Sequence, residues 1–118
     1  MSRIPPQNLE AEASLLGALL LDKDAIIKVS DSLTPSDFYK EGHGLVYQAM
    51  LDLFEQHEPI DIVTVSNRLD EKKQLATGGG KSYLAELTSG VPNSSHVLSY
   101  ANTIRKKSTL RKLEQAAA

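Results

Sequence analysis

The stretch from Leu9 to Asp22, LEAEASLLGALLLD, constrains this chain more than any other, because it is the least soluble helix the sequence can form. At ~100° per residue Leu9, Ala13, Leu16 and Leu20 share one stripe, while Leu15, Ala18, Leu19 and Leu21 cover most of the rest of its second half. From Leu15 onward no polar side chain interrupts it until Asp22. A surface helix keeps a polar face, so a segment apolar all round belongs in the middle of a helical core, where Gly17 lets a neighbouring backbone come close. Glu10 and Glu12 sit in its first turn, where the helix dipole favours acids, and Pro5 and Pro6 stiffen the approach.

At 118 residues and 41% hydrophobic, the chain reads as one globular domain with a core of useful size. The apolar run is far shorter than the ~20 residues that span a membrane, and it lacks the basic start and small-residue cleavage site of a signal peptide. A soluble, cytoplasmic protein is expected. The absence of Cys excludes disulfides and thiolate chemistry. A net charge of −2 conceals an asymmetry: the last 24 residues hold five Lys and Arg against the single acid Glu114, so an acidic body carries a basic tail.

The segment DKDAIIKVSDSL predicts a short second helix, with Asp22 as N-cap and Ile26, Ile27 and Val29 buried. Thr34-Pro35-Ser36-Asp37 places a capping hydroxyl, a Pro at the first helical position and an acid three residues on, which starts a helical turn carrying Phe38 and Tyr39. A third helix over Glu41 to Gln56 presents Leu45, Val46, Ala49, Met50, Leu53 and Phe54 at i, i+3, i+4 spacing, so it packs on the first and ends at Glu58-Pro59. Asp61 caps a fourth helix with Ile62, Val65 and Leu69 inward. Ile62, Val63 and Val65 favour strands, but no partner run of alternating residues exists nearby. Gly78-Gly79-Gly80 is a loop, Tyr83, Leu84 and Leu87 mark a fifth helix, and Gly90-Val91-Pro92 closes it.

From Asn93 or Ser94 one helix runs to the end. Val97, Tyr100, Ala101 and Ile104 share a stripe, whereas Leu110, Leu113 and Ala117 lie about 150° away around the same helix. Two readings follow: a frayed end with scattered surface leucines, or a helix whose second half projects past the body toward a missing partner helix. The organisation is therefore a globular head over residues 1–95 and a projecting helix over 96–118, all-α throughout. The candidate association surface is Leu110, Leu113 and Ala117 with Arg111.

No active site emerges. Gly78-Gly79-Gly80-Lys81-Ser82 ends like a phosphate-binding P-loop, but that pattern needs a Gly where Leu75 stands and a strand before it, so the stretch reads as an interhelical turn. His43, His57 and His96 are too far apart for a local metal motif and read as cap, surface or core residues. Glu10 with Glu12 and Asp22 with Asp24 read as helix-end charges, with no nucleophile beside them. Arg105, Lys106, Lys107, Arg111 and Lys112 form a basic cluster without interleaved aromatics, which fits a solvated helix end better than a nucleic-acid surface.

Taken in order, Pro5-Pro6-Gln7-Asn8-Leu9-Glu10-Ala11-Glu12, Leu16-Gly17 and Leu20-Leu21-Asp22 resemble the opening of the N-terminal domain of replicative DnaB-type DNA helicases. The resemblance continues through Asp37-Phe38-Tyr39, His43, Val46-Tyr47, Pro59-Ile60-Asp61, Thr64-Val65, Gly79-Gly80, Tyr83-Leu84, Leu87, Val91-Pro92, Tyr100-Ala101 and Lys107 to Arg111, and so spans residues 4 to about 113. Each piece is a cap, a turn or a core residue. Their order and spacing carry the match.

The resemblance implies a helical head followed by a helical hairpin, a non-catalytic domain that builds the collar of a hexameric ring as a trimer of dimers. It places the P-loop, with ATP and Mg, in a separate RecA-like domain of the parent protein, so no cofactor is expected here. The hairpin's second helix would follow Ala118, which makes this chain a piece of a longer protein. Implied partners are a second copy of the chain, the C-terminal domain of primase and a helicase loader, with no membrane and little direct DNA contact. A primase C-terminal helicase-binding domain or a free-standing helical adaptor is the alternative.

Overall fold

A computed structural model of the chain describes residues 4–90 and 94–117. Among them are five α-helices and no strand: α1 (Leu9–Leu21), α2 (Glu41–Glu55), α3 (Ile62–Glu71), α4 (Gly80–Ser89) and α5 (Val97–Ala117), with 3₁₀ turns at Ala25–Lys28, Pro35–Asp37 and Ser94–His96. None of these helices is long and apolar enough to cross a membrane.

α1 is the centre of the fold. The Asn8 side chain caps it by accepting the Ala11 N–H at 2.9 Å. Leu15, Leu16, Gly17, Ala18, Leu19 and Leu20 are buried without a break, because α2, α4 and α5 all pack against this helix. Its ends emerge: Leu9 and Leu21 are exposed, so the burial all round that its composition implies holds only for the middle.

Between α1 and α2 the chain departs from expectation. Residues 25–28 form one 3₁₀ turn rather than a second α-helix, and Ile27 is 60% exposed while Ile26 and Val29 are buried. With three residues per turn, positions 26 and 29 eclipse on the inner side and position 27 is carried outward. Asp22 ends α1, and its carboxylate receives the Asp24 N–H at 3.0 Å, so it caps a turn and not a helix. The expected box at Thr34 is present, with Asp37 Oδ2 accepting the Thr34 N–H at 2.9 Å. The turn stops at Asp37. Phe38 and Tyr39 therefore follow it in the connection to α2, the first buried and the second largely exposed.

Tyr47 of α2 pins this connection by donating its hydroxyl to the Leu33 carbonyl at 3.0 Å. Burial, with the Asp37 charge nearby, raises its phenol above the ordinary range. α3 begins at a reciprocal box, Asp61 Oδ1 accepting from Thr64 N at 2.8 Å and Thr64 Oγ1 from Asp61 N at 2.9 Å, and Val65 and Leu69 face inward. Ile62 is only partly buried. Asp52 ties α2 to α3 through Arg68 at 3.0 Å and Lys72 at 3.3 Å. α4 ends at Ser89 with Gly90 as its C-cap; Val91 and Pro92, expected to close it, and Asn93, offered as a start for the last helix, lie outside the described residues.

In α5 the inward stripe does not change sides after Ile104. Val97, Ala101 and Ile104 are followed on the same face by Ser108, 2% exposed, and then by Arg111. The face stays docked and turns from apolar to polar. The helix therefore rests on the head as far as Arg111 rather than leaving it after its first half, and only from Lys112 to Ala116 is it exposed at every position.

Candidate interaction surfaces

The polar end of the α5 inner face converges on Asp37. Ser108 donates its hydroxyl to Asp37 Oδ1 at 2.8 Å, and the Lys112 ammonium lies 3.7 Å from the same oxygen. Arg111 donates to the carbonyls of Asp37 at 2.6 Å and Pro6 at 2.7 Å, with its guanidinium 5.5 Å over the Tyr39 ring. Burial alone would raise the Asp37 carboxyl. The Thr34 N–H, the Ser108 and Thr34 hydroxyls and the Lys112 charge outweigh it and hold the group below its ordinary value.

Of the four residues expected to form one association surface, Arg111 is thus separated from Leu110 and Leu113. Leu110 and Leu113 are exposed, on the side away from the head. Arg111 is half-buried against the head, because at ~100° per residue it falls within about 20° of Ile104. The Ala117 side chain lies outside the described residues. Asn102, Arg105, Lys106 and Thr109 continue the exposed outer face of α5 around Leu110.

A second constellation escapes hydrophobic periodicity altogether. Glu12, expected as a helix-end charge beside Glu10, is 1% exposed, and so is His43. Glu12 Oε2 accepts the Tyr39 N–H at 2.7 Å, and Oε1 accepts the Lys40 N–H at 3.4 Å and His43 Nδ1 at 2.8 Å. His43 Nε2 lies 2.6 Å from the Tyr83 hydroxyl. Since a carboxylate only accepts, Nδ1 carries a hydrogen, and with the imidazole neutral Nε2 receives the Tyr83 hydrogen. The buried carboxylate has a structural reason. α2 has no side-chain cap of its own at Lys40, and Glu12 supplies one from α1, where the α2 dipole also favours an anion. The sequence carried a signal for it: Glu12 stands three, four and seven residues before Leu15, Leu16 and Leu19, on the inner stripe of α1.

Tyr83 brings this chain of hydrogen bonds to the surface. It lies in the wall of a groove between α1 and α4 whose floor is Ala13 and Leu87 and whose rim carries the exposed acids Glu10 and Glu86. Lys40 sits over the Tyr83 ring with its ammonium 4.5 Å from the centroid.

Gly78 and Gly79 are the turn into α4, and Gly80 to Ser82 open the helix. The amides of Gly78, Gly79 and Gly80 donate to the carbonyls of Gln74, Ala76 and Leu75 at 2.9, 3.1 and 2.9 Å, so none of them points at a phosphate. The left-handed φ of 101° at Gly79 would press a Cβ to 2.7 Å from the Tyr83 ring. His57 and His96 are exposed, and among the described residues no three metal-ligating groups come together.

The family described as DnaB-like helicase N terminal domain matches residues 4–106 of this sequence. The chain belongs to that family. As a DnaB-like N-terminal domain it is 44% identical over 115 residues to the replicative DNA helicase DnaB of Geobacillus stearothermophilus, covering 98% of this chain and 25% of the relative. It is 42% identical to the replicative DNA helicase DnaC of Bacillus subtilis, over the same shares of the two chains. The chain spans about a quarter of the length of these curated relatives. The crystal structure of the N-terminal domain of DnaB helicase from Mycobacterium tuberculosis superposes with a TM-score of 0.93 at 46% identity, covering 97% of this chain and 79% of that one. A DnaB-like replicative helicase, described with its interactions with primase, superposes with a TM-score of 0.81 at 29% identity, over 93% of this chain and 26% of that one. The all-α fold implied by the resemblance is the fold observed.

Proposed function

We propose that this chain is the N-terminal collar domain of a replicative, ATP-dependent DNA helicase, joining copies of the protein in a ring and receiving primase, without catalytic activity of its own. ATP and Mg belong, in this reading, to the remaining three quarters of the parent protein. The division of α5 carries the reading: its inner face is docked on the head through Ile104, Ser108 and Arg111, while Leu110 and Leu113 stand exposed on the outer face, which nothing among the described residues covers. Such a pair of exposed leucines favours packing on a second copy, and two leucines at ~25 cal/mol per Å² offset only part of the entropy of association, so the contact is a dimer that dissociates on dilution. Sedimentation velocity over a wide concentration range tests it. Wild type should self-associate and a Leu110→Ser, Leu113→Ser double variant should not; two monomers throughout, or equal association, would remove the reading.

For primase, the groove between α1 and α4 is the better-suited surface. An apolar floor of Ala13 and Leu87 under the acids Glu10 and Glu86 fits an amphipathic helix with basic flanks, and primase is the partner described for the similar helicase structure. A Glu10→Lys, Glu86→Lys variant should bind the primase C-terminal domain at least about tenfold more weakly in a titration, the effect of about 1.4 kcal/mol. Unchanged affinity would assign primase to another face. A helicase loader is a further partner of the whole protein in this reading. The acidic body leaves little for direct DNA contact.

A further inference from the structure

We propose that the Tyr83 hydroxyl and the distal half of α5 are thermodynamically coupled through Glu12 and residues 37–40, so that engaging the groove between α1 and α4 changes how firmly residues 108–117 are held on the head. The groove's role as a partner site rests on the reading above; the coupling itself is a property of this chain alone.

The route consists of direct contacts. Tyr83 Oη meets His43 Nε2 at 2.6 Å, and His43 Nδ1 meets Glu12 Oε1 at 2.8 Å. Glu12 Oε2 holds the Tyr39 N–H at 2.7 Å. From Tyr39 the ring faces the Arg111 guanidinium at 5.5 Å, and two residues back the Asp37 carbonyl accepts from Arg111 at 2.6 Å while its carboxylate accepts from Ser108 at 2.8 Å. The link between the two halves is a four-residue stretch, Asp37 to Lys40, that leaves the 3₁₀ turn and enters α2 in extended conformation at Phe38 and Lys40. So short a segment cannot satisfy Glu12 at one end and α5 at the other in two independent ways. If the carboxylate loses its imidazole partner and turns, Tyr39 N–H and Lys40 N–H shift with it, and the carbonyl and ring that Arg111 uses shift too.

What makes α5 responsive is the chemistry of its attachment. Up to Ile104 the helix is held by buried apolar side chains, which have no single geometry to lose. Beyond Ile104 the described anchors are polar, and their strength depends steeply on distance and angle. A displacement of a few tenths of an ångström at residues 37–39 is therefore expressed in the distal half and little in the proximal half. Because the same half carries Leu110 and Leu113, occupation of the groove and the position in which the outer α5 face is held are linked.

Hydrogen exchange on the chain without any partner tests this. Tyr83→Phe removes one hydroxyl from a half-buried ring and leaves the groove floor intact, so the fold survives. Amides of residues 109–116 should exchange about two- to thirtyfold faster than in wild type, the range that couplings through packed networks span, with residues 98–104 unchanged. In an Arg111→Gln background, where the Arg111 contacts are gone and Ser108 is left to hold Asp37, Tyr83→Phe should add a smaller factor than in wild type. Unchanged exchange of residues 109–116 in Tyr83→Phe, or the same factor in both backgrounds, overturns the coupling. Either result leaves the primase reading standing, since that is decided by the Glu10→Lys, Glu86→Lys titration.

Discussion

Ser108 and Asp37 lie 71 positions apart in sequence and share a buried hydrogen bond of 2.8 Å, at a position where the α5 stripe would otherwise call for an apolar side chain. An alanine or valine there would pack against a carboxylate. The pair instead marks where the adhesive between α5 and the head changes from apolar burial to directional polar contacts, which are broken and remade more readily.

Glu12→Ala should be among the most damaging single substitutions on a polar side chain. It strips the acceptor from Tyr39 N–H and His43 Nδ1, both within 2.8 Å, and from the Lys40 N–H at the start of α2. Each buried N–H left without an acceptor costs about 1–3 kcal/mol. Glu12→Gln keeps an acceptor and should cost visibly less. Chemical denaturation of the three proteins gives both values, and equal stability for wild type and Glu12→Ala would show that the network contributes nothing.

Two glycines make a contrasting pair. A Cβ on Gly42 would stand 2.6 Å from the Thr77 carbonyl, so the first turn of α2 lies directly against the loop before α4, and Gly42→Ala should destabilise by about 1–3 kcal/mol. Gly90 has open space around it and a φ of −73°, which any residue adopts, so Gly90→Ala should be neutral or stabilise by up to about 1 kcal/mol. Thermal melts of the two variants should move in opposite directions or differ by several degrees. Similar melts would mean that α2 and the loop are not held as closely as this.

The sequence disclosed what periodicity and local capping encode. The buried run Leu15 to Leu20 and the box at Asp61 and Thr64 follow from neighbours three or four residues away, and the helical state of Ile62 and Val65 against their strand propensity follows from the lack of a partner run of alternating residues. Ile27 was misplaced because a 3₁₀ turn has a different period, which four residues do not reveal. Apolar periodicity places Arg111 beside Leu110 and Leu113 because it is blind to polar residues that continue a stripe inward. Glu12 was passed over for a subtler reason: a local rule, the dipole at the helix start, already accounted for it, although its partners Tyr39, Lys40 and His43 lie 27 to 31 residues on. Family membership was legible all the same, since it rests on the order of many ordinary motifs.

Purified chain incubated with ATP and DNA should hydrolyse no nucleotide, and Lys81→Ala should change neither this nor stability. The three glycine amides before Lys81 already bond to carbonyls of the preceding turn, so a phosphate would have to break those bonds to be cradled. Turnover that persists through further purification and disappears with Lys81→Ala would overturn the reading.

Acid should destabilise the domain through two identified carboxylates. Asp37 and Asp52 are both held below the ordinary value of 3.8: for each, burial pushes upward and is outweighed, at Asp37 by Thr34, Ser108 and Lys112, at Asp52 by Gln48, Arg68 and Lys72. Between the lowered folded value and 3.8 the unfolded chain binds protons that the folded chain does not, so falling pH favours unfolding there. The stabilisation is therefore complete above about pH 5, begins to decline as the unfolded value is approached and is lost as the pH passes through the folded values. The two groups report on different contacts: Asp37 on the docking of α5, Asp52 on the α2–α3 pair. Asp37→Asn should flatten part of the fall in melting temperature between about pH 5 and pH 2.5 and lower the protection of residues 109–116 at neutral pH, taken relative to the unstructured chain at the same pH, toward that of the wild type in acid. Asp52→Asn should flatten the remaining part without touching that protection. A wild-type melting temperature that stays level across this range, or an Asp37→Asn profile parallel to wild type, would mean that these carboxylates do not hold the helices as their geometry implies.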